Sequence, residues 1–389
     1  MTGAAKGRPL VEGLVESRIR EVANAGMGME DLIPLWYGEP DTHTPDFIVN
    51  AAVDAMKSGH TFYTENLGVD ELRHALADYM SGLHQKPITK DRVTVTGSGM
   101  IGVNLLQQLL TEPGDNLVVT APVWPNMVES IRLMHGEPRL APIKLGNDGW
   151  KLDPEDIFAL VDSDTKAILI NSPNNPTGWI MERADQQLVL DFAREKGIWV
   201  LADEVYNRIV FDRAVSPSFL DLAEPEDRVV VINSFSKTWA MTGWRLGWLT
   251  VPSSLQPTLQ KLIEFHYSCA ADFTQQAAIA AVRDGEEFIQ SIVQKYRLGR
   301  DLVCDRLLAL PNVRIAKPGG AFYAFFEVAG VEDSVELCRD ILRRTKVGLA
   351  PGSAFGPGYE NYVRLCFANS EERLSKAMDL IVPVLAEGR

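Results

Sequence analysis

The sequence is short of several things, and each shortage removes a class of function. There is no surplus of positive charge: 38 lysines and arginines stand against 52 aspartates and glutamates, a formal net charge of −14. Such a chain offers few cations to neutralise a phosphate backbone or an anionic lipid surface, which argues against nucleic acid and membrane partners. Long apolar runs are missing too. Stretches such as VVVI at 229–232 suit a buried strand and fall far short of the ~20 apolar residues of a bilayer-spanning helix. The opening MTGAAKGRPL lacks the apolar stretch of a secretion signal. Cysteine is scarce: Cys269, Cys304, Cys338 and Cys366 show no CxxC spacing, and the six histidines form no cluster with them. The expectation is a cytoplasmic protein with reduced cysteines and no metal centre. No internal repeat or low-complexity tract is present.

What is there is a chain of 389 residues, 46% hydrophobic and 23% charged, enough to bury a large core and to divide into more than one domain. Short β-branched runs (VTVT 93–96, NLVVT 116–120, AILI 167–170, WVLA 199–202, VVVIN 229–233) alternate with helical stretches such as 185–196. That alternation predicts an α/β fold, a mostly parallel sheet with helices on both faces, whose ligands sit in the loops after the carboxyl ends of the strands. Beyond about Asp284 the pattern changes to a charged helical segment at 286–310, then PGGAFYAFFEV, then a last helix from Glu371, which predicts a smaller α+β domain. The expected division is an N-terminal arm (1–34) without strand pattern, packed on the smaller domain or on a partner subunit, a large domain (35–284) and a small one (285–389).

The chemistry concentrates where the strands end. SFSKTWAMTGWRLGW (234–248) follows VVVIN directly. A lysine in a partly desolvated turn has a depressed pKa and becomes a nucleophilic amine able to form a Schiff base with an aldehyde. Around Lys237, Ser234 and Ser236 supply hydroxyl donors and Arg245 a fixed cation, the set a phosphate monoester needs. NSPNNPTG (171–178) follows AILI as a tight turn holding Asn175. ADEVY (202–206) puts Asp203 in an apolar neighbourhood, where a carboxylate needs a partner, with Tyr206 three residues on. In TGSGM (96–100) the backbone N–H groups precede a helical run, so they either receive phosphate or simply turn the chain. Trp124, in APVWPN, has no core of its own to join. Arg364 lies mid-strand in YVRLCFA, suited to a bidentate clamp on a carboxylate or to a structural salt bridge.

Taken together, the asparagine, aspartate, tyrosine and lysine at 175, 203, 206 and 237, in that order and each after a strand, resemble the class I/II, fold-type I, pyridoxal-phosphate-dependent aminotransferases. The likeness runs from LWYGEPD to YVRLCFA. It implies that Lys237 holds pyridoxal 5'-phosphate as a Schiff base and moves the proton of the 1,3-shift. By the same likeness Asp203 faces the pyridine nitrogen, Asn175 and Tyr206 face the phenolic oxygen, and Trp124 stacks on the ring. Ser98, Gly99 and Met100 take the phosphate-cup positions, helped by Ser234, Ser236 and Arg245. Arg364, Asn175 and the backbone of Gly38 receive the substrate carboxylate. Tyr63, in TFYTENLG, matches a residue that reaches the phosphate of a neighbouring subunit, which implies a homodimer with a shared site.

The substrates implied are an L-amino acid and a 2-oxo acid. A C–S β-lyase on the same fold retains the same lysine, aspartate and arginine and is the alternative enzyme. A cofactor-binding transcriptional regulator is disfavoured, because the pattern begins by about Val15 and leaves no space for a helix-turn-helix module. TGSGM lacks a GxGxxG arrangement, so a dinucleotide site has little behind it. Trp36, Tyr37 and Asn66 are candidates for the side-chain pocket, which would tilt it toward neutral or aromatic donors.

Overall fold

A computed structural model describes residues 6–387. The β-branched runs form the central strands Val93–Thr96 (β1), Asn116–Ala121 (β2), Glu137–Pro142 (β3), Thr165–Asn171 (β4), Trp199–Asp203 (β5), Val229–Ser234 (β6) and Gly247–Thr250 (β7) of one seven-stranded sheet, ordered β1-β7-β6-β5-β4-β2-β3. β2 through β6 pair in parallel, while β7 runs antiparallel to both its neighbours. Successive side chains point to opposite faces. Leu117, Val119, Leu169, Leu201 and Val230 therefore pack on one side, and Val118, Ile168, Val200 and Val231 on the other. Burial on both faces is why these strands read as unbroken apolar runs. The sheet is thus mixed and mostly parallel, with helices on both faces, as the alternation predicts. Two strands escape the pattern: β3 carries two prolines and two charges, and β7 is only four residues inside a motif read for its chemistry.

Further along the chain, Val313–Ile315 (β8), Tyr323–Val328 (β9), Ala350–Pro351 (β10) and Tyr362–Cys366 (β11) make a four-stranded antiparallel sheet ordered β8-β9-β11-β10. It is accompanied by the helices Glu286–Leu308, Ser334–Thr345 and Glu371–Ala386. The N-terminal segment does carry structure. Ser17 caps the helix Arg18–Ala25, which buries Ile19, Val22 and Ala23, and Ile33–Pro34 pairs in parallel with Val347–Gly348. Among the described residues no helix is long and apolar enough to cross a membrane, and no group of His, Cys, Asp and Glu is placed to hold a metal.

Candidate active site

Most strands of the sheet deliver a cavity residue to the same edge. β5 ends on Asp203 and β4 on Asn171, and the turns after β1, β2, β4 and β6 carry Gly99, Trp124, Asn175 and Lys237. β7, running the other way, starts at this edge just after Arg245. Gly247 lets it come close: a Cβ there would sit 2.6 Å from the amide nitrogen of Gly99 and 2.7 Å from the carbonyl of Asn233. The result is a cavity of about 510 Å³. Its lining includes Gly38, Gly99, Met100, Trp124, Asn175, Asp203, Tyr206, Ser234, Ser236, Lys237, Arg245 and Arg364, so most of the residues picked from the sequence are gathered in one place. Ser98 and Tyr63 are not among them. Ser98 lies behind the wall as N-cap of the helix Gly99–Leu110, its hydroxyl accepting from the Ile101 amide at 3.1 Å. Tyr63 is 88% exposed.

The electrostatics of the cavity are set by burial. Desolvation lowers the Lys237 ammonium to a pKa of about 8, with Arg364 and Arg245 adding to the effect. The amine is held by donation to the Gly38 carbonyl at 2.6 Å. Gly38 must be glycine, because a Cβ there would lie 1.9 Å from the Tyr323 hydroxyl. Asp203 is 3% exposed, and desolvation raises it to about 7 against the pull of the Val205 amide and Lys237. Its carboxylate accepts from Asn171 Nδ2 at 3.1 Å, and Asn171 Oδ1 accepts the Asn175 amide at 2.7 Å, so one strand-end residue positions two others. Tyr206 and Tyr323 share a hydrogen bond of 2.7 Å between hydroxyls, and burial pushes both phenols above their ordinary range.

Arg364 is 2% exposed and has no acidic partner among the described residues. It donates to Asn175 Oδ1 at 2.8 Å and to the Trp36 carbonyl, lies 4.4 Å from the Tyr323 ring centroid, and keeps Nε unpaired. A buried guanidinium answered only by neutral acceptors is a site for an anion. Among the described residues Arg364 therefore forms no structural salt bridge. At the other end, the opening amides of the helix Gly99–Leu110 come before the first that can bond within the helix, and those of Gly99 and Met100 have no acceptor in the described residues. Ser234, Ser236 and Arg245 stand beside them. Arg245 holds a left-handed backbone (φ 54°), unfavourable for a side chain of its size, and is anchored by donation to the Thr242 carbonyl at 2.7 Å.

The side-chain pocket differs from the sequence-based expectation. Tyr37 lines the cavity. Trp36 does not: its ring is buried against Gly348, where a Cβ would sit 2.0 Å from it. Asn66 is tied up with Glu264 and the Ser268 carbonyl, both at 2.7 Å. Lining residues not foreseen include Asn171, Tyr323, and Ser17, Ile19 and Arg20 from the N-terminal helix. Asn171 had a signal, an asparagine closing an otherwise apolar strand; the others depend on contacts distant in sequence.

Comparison with known proteins agrees with this geometry. The family model for aminotransferase class I and II matches residues 30–381. An aspartate aminotransferase of Thermotoga maritima is 36% identical over 353 residues, covering 90% of this chain and 91% of the relative. An aromatic-amino-acid aminotransferase of Thermococcus litoralis is 34% identical over 379 residues, covering 95% and 96%. Among solved structures, the alanine aminotransferase from Pyrococcus furiosus superimposes with a TM-score of 0.92 at 28% identity, covering 98% of this chain and 100% of that one.

Proposed function

The chain belongs to the class I and II aminotransferase family and is a transaminase, and from that premise we propose that it works with pyridoxal 5'-phosphate bound in the 510 Å³ cavity. The observation that carries the reading is one cavity that joins a depressed lysine, a buried acid and a buried arginine, the last two without an ion-pair partner among the described residues. Those groups fit the cofactor. The free amides of Gly99 and Met100, with Ser234, Ser236 and Arg245, would hold its phosphate. Asp203, costly to ionise alone, would be matched by a protonated ring nitrogen. Asn175 and Tyr206 would serve the phenolic oxygen, and Trp124 and Val205 the ring faces. When bound, the cofactor supplies an aldehyde for amino groups and a ring that accepts the electrons freed at the α-carbon.

The chain's own residues supply the rest. Arg364, with Asn175, binds the α-carboxylate and thereby orients the α-carbon toward Lys237. Lys237, whose pKa of about 8 makes its neutral amine far more accessible than that of an ordinary lysine, takes and returns the proton at the α-carbon, and its hold on the Gly38 carbonyl fixes where Nζ waits. Asp203 keeps a positive charge on the atom it faces. Asn171 and Tyr323 position Asp203 and Tyr206 without touching the reacting atoms.

We also propose a homodimer, a cytoplasmic location and the division at residues 34 and 284. The exposed Phe62, Tyr63 and Phe265 support the first, since the loop that carries the first two is tied by His60 to Asp272 and by Thr64 to Cys269, beside the helix of the third. Four unpaired cysteines support the second. The seven-stranded and four-stranded sheets, which share no strand, support the third. Absorbance of the purified protein, before and after single amino acids without oxo acid, tests the main reading. Conversion of the lysine-linked band to the amine form, with the matching 2-oxo acid released, is the expected result. No cofactor band after incubation with pyridoxal phosphate would overturn it.

A further inference from the structure

Four basic side chains line the cavity, Arg20, Lys237, Arg245 and Arg364, against one acid, Asp203. Three of the four have tasks in the reading above. Arg20 has none, and among the described residues its guanidinium has neither an acidic partner nor a hydrogen-bond acceptor. The adjacent acid, Glu21, is committed elsewhere, 2.8 Å from Arg339 and 3.9 Å from Arg18. The guanidinium instead sits 5.7 Å from the centroid of the Tyr37 ring, a contact that orders the cation without neutralising it. Its helix is fixed by the Ser17 cap and by burial of Ile19, Val22 and Ala23, so the charge is presented from a set position.

The segment 36–38 ties this cation to the rest of the site. Arg364 donates to the carbonyl of Trp36, Arg20 lies on the ring of Tyr37, and Lys237 donates to the carbonyl of Gly38. Consecutive Cα atoms are about 3.8 Å apart, so three cations converge on one short stretch of backbone. One is the reactive amine and one holds the α-carboxylate. We propose that Arg20 is a specificity-determining residue that binds the second carboxylate of a dicarboxylic amino acid or 2-oxo acid, which rests on the assignment of the first carboxylate to Arg364.

The two arginines are not equivalent. Arg364 is buried, so an empty Arg364 is costly and every substrate must supply its carboxylate. Arg20 is exposed and stays hydrated when nothing is bound. Monocarboxylic substrates are therefore admitted and dicarboxylic ones preferred, a discrimination of degree.

The test is calorimetric binding of two unreactive probes of equal carbon number, succinate and butyrate, to the cofactor-loaded enzyme. The wild type is expected to bind succinate about 10- to 100-fold more tightly, the range of a charge-assisted hydrogen bond. Arg20→Gln should remove that preference, weakening succinate by the same factor and leaving butyrate within about two-fold, and Arg20→Lys should restore part of it. Thermal melting should not change. The ratio of kcat/KM for dicarboxylic over monocarboxylic donors should fall in parallel. An Arg20→Gln enzyme that keeps the succinate preference, or loses both probes alike, overturns the proposal. Arg364→Gln separates the two assignments, since it should weaken both probes. If it does so while Arg20→Gln acts on neither selectively, only the Arg20 proposal falls. If both probes ignore Arg364→Gln, the carboxylate assignment falls and takes the Arg20 proposal with it.

Discussion

Two regions of this molecule bury charge, and they treat it in opposite ways. In the packed interior, Arg208 is met on every side: Tyr79 at 2.7 Å, both carboxylate oxygens of Glu286 at 2.8 and 2.9 Å, and the Ala214 carbonyl at 3.2 Å. Glu204, next in sequence to Asp203, turns inward, where the Phe219 amide at 3.2 Å and the Ser218 hydroxyl serve it while Oε2 has no partner among the described residues, and burial raises it to about 8, which keeps it neutral at pH 7. Along the cavity, Arg364 meets neutral acceptors and keeps one N–H without an acceptor among the described residues, and Asp203 is served by the Asn171 side chain and the Val205 amide beside Lys237. Folding alone explains the first set. The second is the set to which the proposed function assigns cofactor and substrate.

The comparison can be broken at the two acids first. Asp203→Asn should cut kcat by on the order of 10³-fold, as expected when one charge facing the reacting centre is removed, while Glu204→Gln, an isostere of an acid already neutral at pH 7, should stay within a few-fold. Stability should move the other way. Because the folded-state pKa of Asp203 is raised, its contribution is fully present below the ordinary carboxylate range and is lost as pH rises through about 7. Cofactor-free Asp203→Asn should therefore be more stable than wild type at pH 8, by roughly 2–4 kcal/mol, a gain that shrinks as pH falls below 7. Urea denaturation at the two pH values measures this.

The two arginines sharpen the contrast. Arg364→Gln should lower kcat/KM for all amino donors by about 10²- to 10³-fold without lowering the melting temperature, since it removes a buried charge that no acid compensates. Arg208→Gln should do the reverse, costing about 2–3 kcal/mol of stability and leaving kcat/KM per folded molecule unchanged. Next in size is the pH dependence of Lys237. Recombination of the cofactor-free protein with pyridoxal phosphate needs the neutral amine, so its rate should climb as pH passes about 8 and level off above it; an ordinary lysine would keep climbing toward about 10.4. Smallest, Tyr323→Phe should lower kcat a few-fold, through the loss of one hydrogen bond to Tyr206, with KM little changed.

The residues legible in the sequence are those whose placement follows from a strand end. Lys237, Asp203 and Asn175 come within a few residues of runs that only a buried parallel strand explains, so finding the strand finds the edge, and the edge is where ligands bind. β3 was not legible because EPRLAP mixes prolines and charges into an edge strand, and β7 because four residues carry too little periodicity. Tyr323 and Arg20 were hidden for another reason. Each reaches the cavity from a segment far away in the chain, Tyr323 through its contact with Tyr206 and Arg20 through its place on Tyr37, and no local pattern encodes such a meeting. Trp36 is placed by the same kind of distant contact, since its partner Gly348 lies in the C-terminal third.

The central claim is that Lys237 carries the cofactor. Borohydride treatment of the loaded protein, followed by digestion and mass spectrometry, tests it directly. The account predicts the reduced cofactor on the peptide containing Lys237, and loss of that label in Lys237→Ala even where the cofactor still binds through Arg245. Label on a different lysine, or full turnover by Lys237→Ala, would contradict it.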